Sequence, residues 1–149
     1  MRKYIRTDAD HPDFCALVRL LDADLAVRDG EEHAFYAQYN HIVDIPNVVL
    51  AYDGESVAAC GAFKKLDTYT VEIKRMYTLP GYRGKGIAQE VLSRLEFWAK
   101  EMGFSRCILE TGKKQPEAIR LYGKSGYSVI ENYGQYAGVE NSVCFEKCV

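Results

Sequence analysis

Between residues 70 and 102 the chain changes its hydrophobic period. Thr70–Thr78 reads as a strand, Leu79-Pro80-Gly81 stops it, and an apolar stripe of Ile87, Val91, Leu95, Trp98 and Met102 then runs at helical spacing. This predicted helix, about Gly86 to Met102, is the longest in the chain, and Gly103 ends it in the position a C′ glycine favours. A short turn therefore has to feed a strand almost directly into a long helix. Such a helix lies back across its own sheet, and the next apolar run, Arg106–Glu110, is placed as a strand parallel to the one before.

The rest of the chain supplies that sheet. A short strand, Lys3 to Thr7, comes first. Asp10 is the expected cap of a helix starting at Pro12, with Phe14, Leu17, Val18 and Leu21 on one face. A second short helix is expected from about Glu31 to Tyr39. Strands at Asn47–Tyr52 and Ser56–Lys65 are joined by Asp53-Gly54, a strong hairpin signal. Pro116 opens another helix with Ala118, Ile119, Leu121 and Tyr122 on its apolar side, and Gly126 closes it. Strands at Tyr127–Tyr133 and Ser142–Lys147 finish the order β-α-α-β-β-β-α-β-α-β-β. This is an α+β class: an antiparallel meander, a crossover helix and one parallel pair.

At 149 residues, without repeats or linkers, the chain is expected to form one domain. No apolar run approaches the ~20 residues of a membrane span, and residues 1–8 carry no signal-like stretch, so a cytoplasmic location is expected. The five cysteines, Cys15, Cys60, Cys107, Cys144 and Cys148, are scattered and include no C-x-x-C pair. Neither a disulfide framework nor a metal site is expected from them. Charge is uneven. Residues 1–63 hold five basic and eleven acidic side chains, whereas residues 64–85 hold six basic and two acidic. The basic stretch is too short for a nucleic-acid surface but suits one polyphosphate ligand. The acidic first half is read as a solvated face or as an attraction for a cationic partner.

That basic stretch ends at Tyr82-Arg83-Gly84-Lys85-Gly86-Ile87-Ala88, where the strand gives way to the helix. A helix start offers unpaired N–H groups and a partial positive charge; Gly84 and Gly86 permit a tight turn; Arg83 and Lys85 add charge. These are the parts of a phosphate cradle. A Walker loop is excluded because Lys85 is followed by Gly86 and Ile87 rather than Ser or Thr. A dinucleotide fingerprint is excluded because Gln89 stands where a third small residue is needed.

With these residues in view the chain resembles the GNAT superfamily of acetyl-CoA-dependent N-acetyltransferases. The family's loop, Arg/Gln-x-x-Gly-x-Gly/Ala, is matched by Arg83, Gly86 and Ala88. Glu72-Ile73-Lys74-Arg75-Met76-Tyr77 is similar to the strand that leads into that loop. Leu109-Glu110-Thr111-Gly112, Ala118-Ile119-Arg120-Leu121-Tyr122 and Gly126-Tyr127 are similar to the following strand and helix. The resemblance implies a mostly antiparallel sheet of about six or seven strands with about four helices. It also implies a splayed parallel pair holding the pantetheine arm of acetyl-CoA. Cofactor contacts are implied for Met76, Tyr77, Arg83, Gly84, Lys85, Gly86, Ile87 and Ala88, and for Gln115, where many members carry Asn.

The resemblance also implies direct attack of a primary amine on the thioester. Such an amine is mostly protonated at neutral pH, with a pKa of about 10.4 for a lysine-type group, so a base must act first. Glu72 is the candidate base; the competing reading is an exposed strand carboxylate paired with a lysine. Strand alternation puts it on the same side as Lys74 and Met76. Tyr122, in Leu121-Tyr122-Gly123-Lys124-Ser125-Gly126-Tyr127, is the candidate acid for the departing thiolate; on residue pattern alone it is a core tyrosine. Oxyanion stabilisation falls to backbone N–H groups near Tyr77. The acceptor pocket is expected among His33, Tyr36, Tyr39, Tyr133 and Tyr136, which would suit a small cationic amine or simply pack beneath a loop. No metal, nucleic acid or membrane is expected as a partner, and a homodimer is left open. A non-catalytic acyl-CoA-binding module on the same scaffold is the rival reading, and a protein-binding adaptor a third.

Overall fold

The computed structural model describes residues 1–30 and 45–149. The expected helix at 31–39, with His33, Tyr36 and Tyr39, lies outside them. The described elements are β1 (Arg2–Thr7), α1 (Pro12–Asp29), β2 (Asn47–Asp53), β3 (Ser56–Lys65), β4 (Thr70–Thr78), α2 (Ile87–Glu101), β5 (Arg106–Gly112), α3 (Pro116–Lys124), β6 (Ser128–Ile130) and β7 (Ser142–Cys148). Single 3₁₀ turns occupy Pro80–Tyr82 and Gly134–Tyr136. The seven strands form one sheet in the order β1-β2-β3-β4-β5-β7-β6.

β1 to β4 form an antiparallel meander, with Gly54 left-handed (φ 63°) in the β2–β3 turn. Two cores cover its faces. Phe14, Leu17 and Val18 of α1 pack on Val48, Leu50, Cys60 and Ala62. On the other face Val91, Leu92, Leu95 and Ala99 of α2 pack on Val49, Phe63, Val71 and Ile73. The period-two alternation of β2 thus divides cleanly between two helices, and each face is apolar because each is covered.

β4 and β5 are parallel, as the strand–helix–strand connection requires, but pair only at Thr70–Arg106, Val71–Cys107 and Glu72–Ile108. Both strands continue beyond that point, and β5 stays paired with β7 along its full length. The sheet therefore opens after Glu72. A bulge explains the departure of β4. Cys60 faces Tyr77 and Ala62 faces Lys74, so Gly61 stands opposite both Arg75 and Met76. Arg75 takes φ 59° there, the one non-glycine positive φ among the described residues. Extra residues of this kind bend a strand and increase its twist.

The bulge corrects the expected alternation. Glu72 and Lys74 do share a face, with Lys74 Nζ 3.8 Å from Glu72 Oε1. Met76 lies on the opposite face, in the core with α2, and Tyr77 turns back toward α1. A Cβ on Gly61 would sit 2.4 Å from Met76 Sδ and 2.9 Å from both Leu95 Cδ1 and Val91 Cγ1, so its bare backbone is what lets α2 and Met76 close on the bulge.

Other local expectations are also revised. α1 is capped by His11, whose Nδ1 accepts from the Asp13 N–H at 3.1 Å, while the Asp10 N–H bonds to Asp8. Met102 lies at the α2 C-cap and is half exposed, because the stripe has rotated off the sheet by the last turn. Buried Leu92, Glu96 and Ala99 complete the inner face instead. Glu96 is held there by Tyr127 Oη, which donates at 2.8 Å, and Lys147 Nζ at 2.9 Å. The strand expected at Tyr127–Tyr133 is only Ser128–Ile130, since Tyr127 is drawn into the core and Tyr133 leads into the 3₁₀ turn.

Candidate active site

Two clefts among the described residues meet beside the gap between β4 and β5. One cleft, of about 410 Å³, runs from Met76, Tyr77 and Thr78 past Arg83, Gly84, Gly86, Ile87 and Ala88 to Gln115 and Tyr122. The strand-to-helix loop forms one wall and α3 the other. Gly84 (φ 75°) and Gly86 (φ 80°) are both left-handed, a conformation glycine adopts without steric cost. Glu90 N–H is the first to bond back, to Gly86 O at 3.2 Å. The N–H groups of Ile87, Ala88 and Gln89 are thus left without acceptors in the helix. Arg83 Nε–H donates to Thr78 O at 2.9 Å, and its guanidinium lies 5.6 Å from the Tyr77 ring centre. That contact pins the cation beside the strand end. Lys85 does not line the cleft; its ammonium lies over Tyr82 and its carbonyl accepts from Arg2.

These residues fit a coenzyme A-type ligand. The helix start and Arg83 offer N–H groups and charge to a pyrophosphate. Beyond them β4 pairs with β5 no further than Glu72, which among the described residues leaves a strand edge for an extended amide-bearing arm.

The second pocket, narrower at about 90 Å³, meets the first at Met76, Gln115, Ala118 and Tyr122. Its floor is Glu72, Lys74, Arg75 and Glu110, and Tyr136 closes one side. Glu72 is buried, so the reading of it as an exposed strand carboxylate does not hold. Its Oε2 accepts from Tyr133 Oη at 2.6 Å. Burial raises the Tyr133 phenol pKa, and the neighbouring Glu72 charge and hydrogen bond raise it further. Burial also lowers the Lys74 pKa, an effect that Glu72 partly offsets. Glu110 Oε2 accepts from Ser142 Oγ at 2.7 Å.

Tyr122 is buried at the junction of the two pockets. Its ring packs against Tyr127 and Phe145. Burial, and then the nearby Glu110 charge, raise its pKa, so the phenol holds its proton. A protonated phenol at such a junction can donate to a group arriving from either side.

The sequence reading missed Arg75, Glu110 and the Tyr133–Glu72 bond. Glu110 sits at the end of the β5 apolar run and could have been noticed as the one acid there. The Tyr133 contact joins residues 61 apart and has no local signal.

A family model for GNAT acetyltransferases matches residues 14–127. The chain belongs to the GNAT family of acetyltransferases. It is 37% identical over 99 residues to the Bacillus subtilis N-acetyltransferase YsnE, covering 65% of this chain and 66% of that one. It is 34% identical over 120 residues to an IAA acetyltransferase of Azospirillum brasilense, covering 74% and 78%. The match thus spans about two thirds of the Bacillus relative's length. A Klebsiella pneumoniae structure assigned as an acyl-CoA N-acyltransferase superposes with TM-score 0.83 at 26% identity, over 99% of this chain and 97% of that one. The PaiA N-acetyltransferase of Thermoplasma acidophilum, solved with coenzyme A, shares the fold at TM-score 0.73 and 18% identity, over 100% and 99%.

As a member of this acetyltransferase family the chain uses acetyl-CoA as its acetyl donor. Its sheet is the seven-stranded mixed one with a parallel β4–β5 pair, and three helices are described. Among the described residues no helix is long and apolar enough to cross a membrane, and no cluster of three or more His, Cys, Asp or Glu could hold a metal ion. All five cysteines are free thiols.

Proposed function

We propose that this GNAT protein acetylates a primary amine of a small molecule or peptide by direct attack on the thioester, with Glu72 as base and Tyr122 as acid. The observation that carries the reading is the meeting of two pockets at Tyr122, one walled by the glycine loop and the other floored by Glu72. The donor supplies an activated acetyl carbonyl. The chain's own residues do the rest. Met76, Tyr77 and the loop from Arg83 to Ala88 hold and orient the donor, with Gln115 at the mouth of α3. Lys85 adds long-range charge from outside the cleft.

Glu72 accepts the amine proton at Oε1 or Oε2, and the Tyr133 hydroxyl and Lys74 ammonium keep the carboxylate in place. Tyr122 passes its phenolic proton to the departing thiolate. The burial that raises its pKa keeps it protonated until that moment. The bent edge of β4 near Tyr77 supplies N–H groups for the developing oxyanion.

Thiol release from acetyl-CoA, measured across amines, polyamines, amino acids and peptide N-termini, tests the reading. Turnover on at least one class is expected, and Glu72→Gln should lower kcat by tenfold or more with little change in donor affinity. Tight coenzyme A binding without turnover on any of them would favour the non-catalytic module. Full rate in Glu72→Gln at every pH would remove Glu72 as the base.

A further inference from the structure

We infer that the acceptor carries a carboxylate beside its amine, recognised by Lys74 and Arg75; the inference rests on the acetyl-transfer reading above. A regular strand would send these two neighbours to opposite faces of the sheet. The bulge turns Arg75, through a left-handed φ, onto the side that Lys74 already shares with Glu72, so both line the same pocket. Positive φ at a residue with a Cβ is unfavourable and persists only where the surroundings enforce it, a pattern concentrated at functional sites.

The guanidinium placed this way is incompletely satisfied. Its Nη2 donates to Asp22 of α1 at 2.7 Å, with the Arg75 side chain 2% exposed and Asp22 48% exposed. Its Nε–H is buried and has no acceptor among the described residues. A buried donor left without a partner is costly, and a ligand oxygen removes that cost. The Lys74 side chain, 7% exposed, brings an ammonium to the same wall.

The anionic groups of the pocket, in contrast, already have donors. Glu72 takes Tyr133 and Lys74, and Glu110 takes Ser142. A purely cationic acceptor would bring its amine to Glu72 but no negative group to answer Lys74 and Arg75 on the same lining. An amino acid-like acceptor fits both halves: its amine goes toward Glu72 and its carboxylate toward Arg75 Nε and Lys74 Nζ.

The experiment compares matched pairs with the full chain and acetyl-CoA: phenylalanine against phenethylamine, methionine against its decarboxylated amine, and phenylalanine against phenylalaninamide. Charge-assisted hydrogen bonds predict kcat/KM about tenfold or more higher for the carboxylates, expressed mainly in KM. Arg75→Lys and Lys74→Gln should each bring the ratio within each pair toward one. Equal or better turnover of the decarboxylated amines overturns the inference, and leaves the acetyl-transfer reading standing. A preference that survives both variants also overturns it. If Arg75→Lys does not fold, the wild-type ratio and Lys74→Gln still decide. Failure of every amine would instead refute the acetyl-transfer reading, and this inference with it.

Discussion

Replacing Gly61 with alanine tests how the bulge in β4 is held against α2. The added Cβ would stand 2.4 Å from Met76 Sδ and 2.9 Å from Leu95 Cδ1 and Val91 Cγ1. Relaxed carbon contacts lie at about 3.5–4.0 Å, so Met76 must retreat by about 1 Å and the α2 side chains by somewhat less. Met76 is an unbranched thioether and can partly yield. Val91 and Leu95 are wholly buried between helix and sheet and cannot. Overpacking of this kind costs about 1–3 kcal/mol. For a domain of this size each kcal/mol lowers Tm by roughly 3 °C, so a fall of about 3–9 °C is expected in a thermal melt. The second consequence is functional. Met76 lines both pockets, so its displacement should raise KM for acetyl-CoA by a few-fold in a thiol-release assay. A Tm within 1 °C of wild type, with unchanged KM, would show that the close approach at Gly61 does not set the helix–sheet spacing.

Two further substitutions separate chemistry from structure. Tyr122→Phe keeps the ring that packs on Tyr127 and Phe145 and removes only the hydroxyl proposed as the acid. Its kcat should fall by about 10²–10⁴-fold while Tm and the KM for acetyl-CoA stay near wild type, and steady-state kinetics within threefold of wild type would exclude the acid role. Tyr127→Phe removes the donor to buried Glu96 and should cost about 1–2 kcal/mol, or roughly 3–6 °C in Tm. Its pH dependence has a definite sign. The folded phenol pKa is raised, by burial first, above the unfolded value of about 10, so its contribution is complete below pH ~10 and lost only as pH rises further. Melts from pH 6 to 9 should show a constant gap to wild type; a gap that closes within that range would contradict the assignment.

What could be read from the residues depended on whether the cause was local. Asp53-Gly54, the Leu79-Pro80-Gly81 stop and Gly103 are local instructions, and β3 and β4 begin and end where those signals put them. The glycine loop was legible for the same reason: its chemistry is complete within seven residues. Where tertiary packing decides, local pattern misleads. His11 rather than Asp10 caps α1, and Met102 falls off the buried stripe as the helix turns away from the sheet.

The bulge is the largest such case, and it explains why one end of the site was legible and the other was not. Nothing in Ile73-Lys74-Arg75-Met76 announces a left-handed arginine. That conformation needs Gly61 opposite it, α2 pressed onto Met76 and Asp22 of α1 waiting for the guanidinium. These partners come from three different elements. Were β4 regular, alternation would carry Arg75 to the α2 face with Ile73, and Met76 would stand beside Lys74 and Glu72. An unpaired cation would then be buried in the apolar core, at a cost far above that of one strained φ. The strain at Arg75 is the cheaper arrangement. By turning Arg75 to the side that Lys74 and Glu72 share while β4 leaves β5, the same bulge shapes the proposed acceptor side of the cleft.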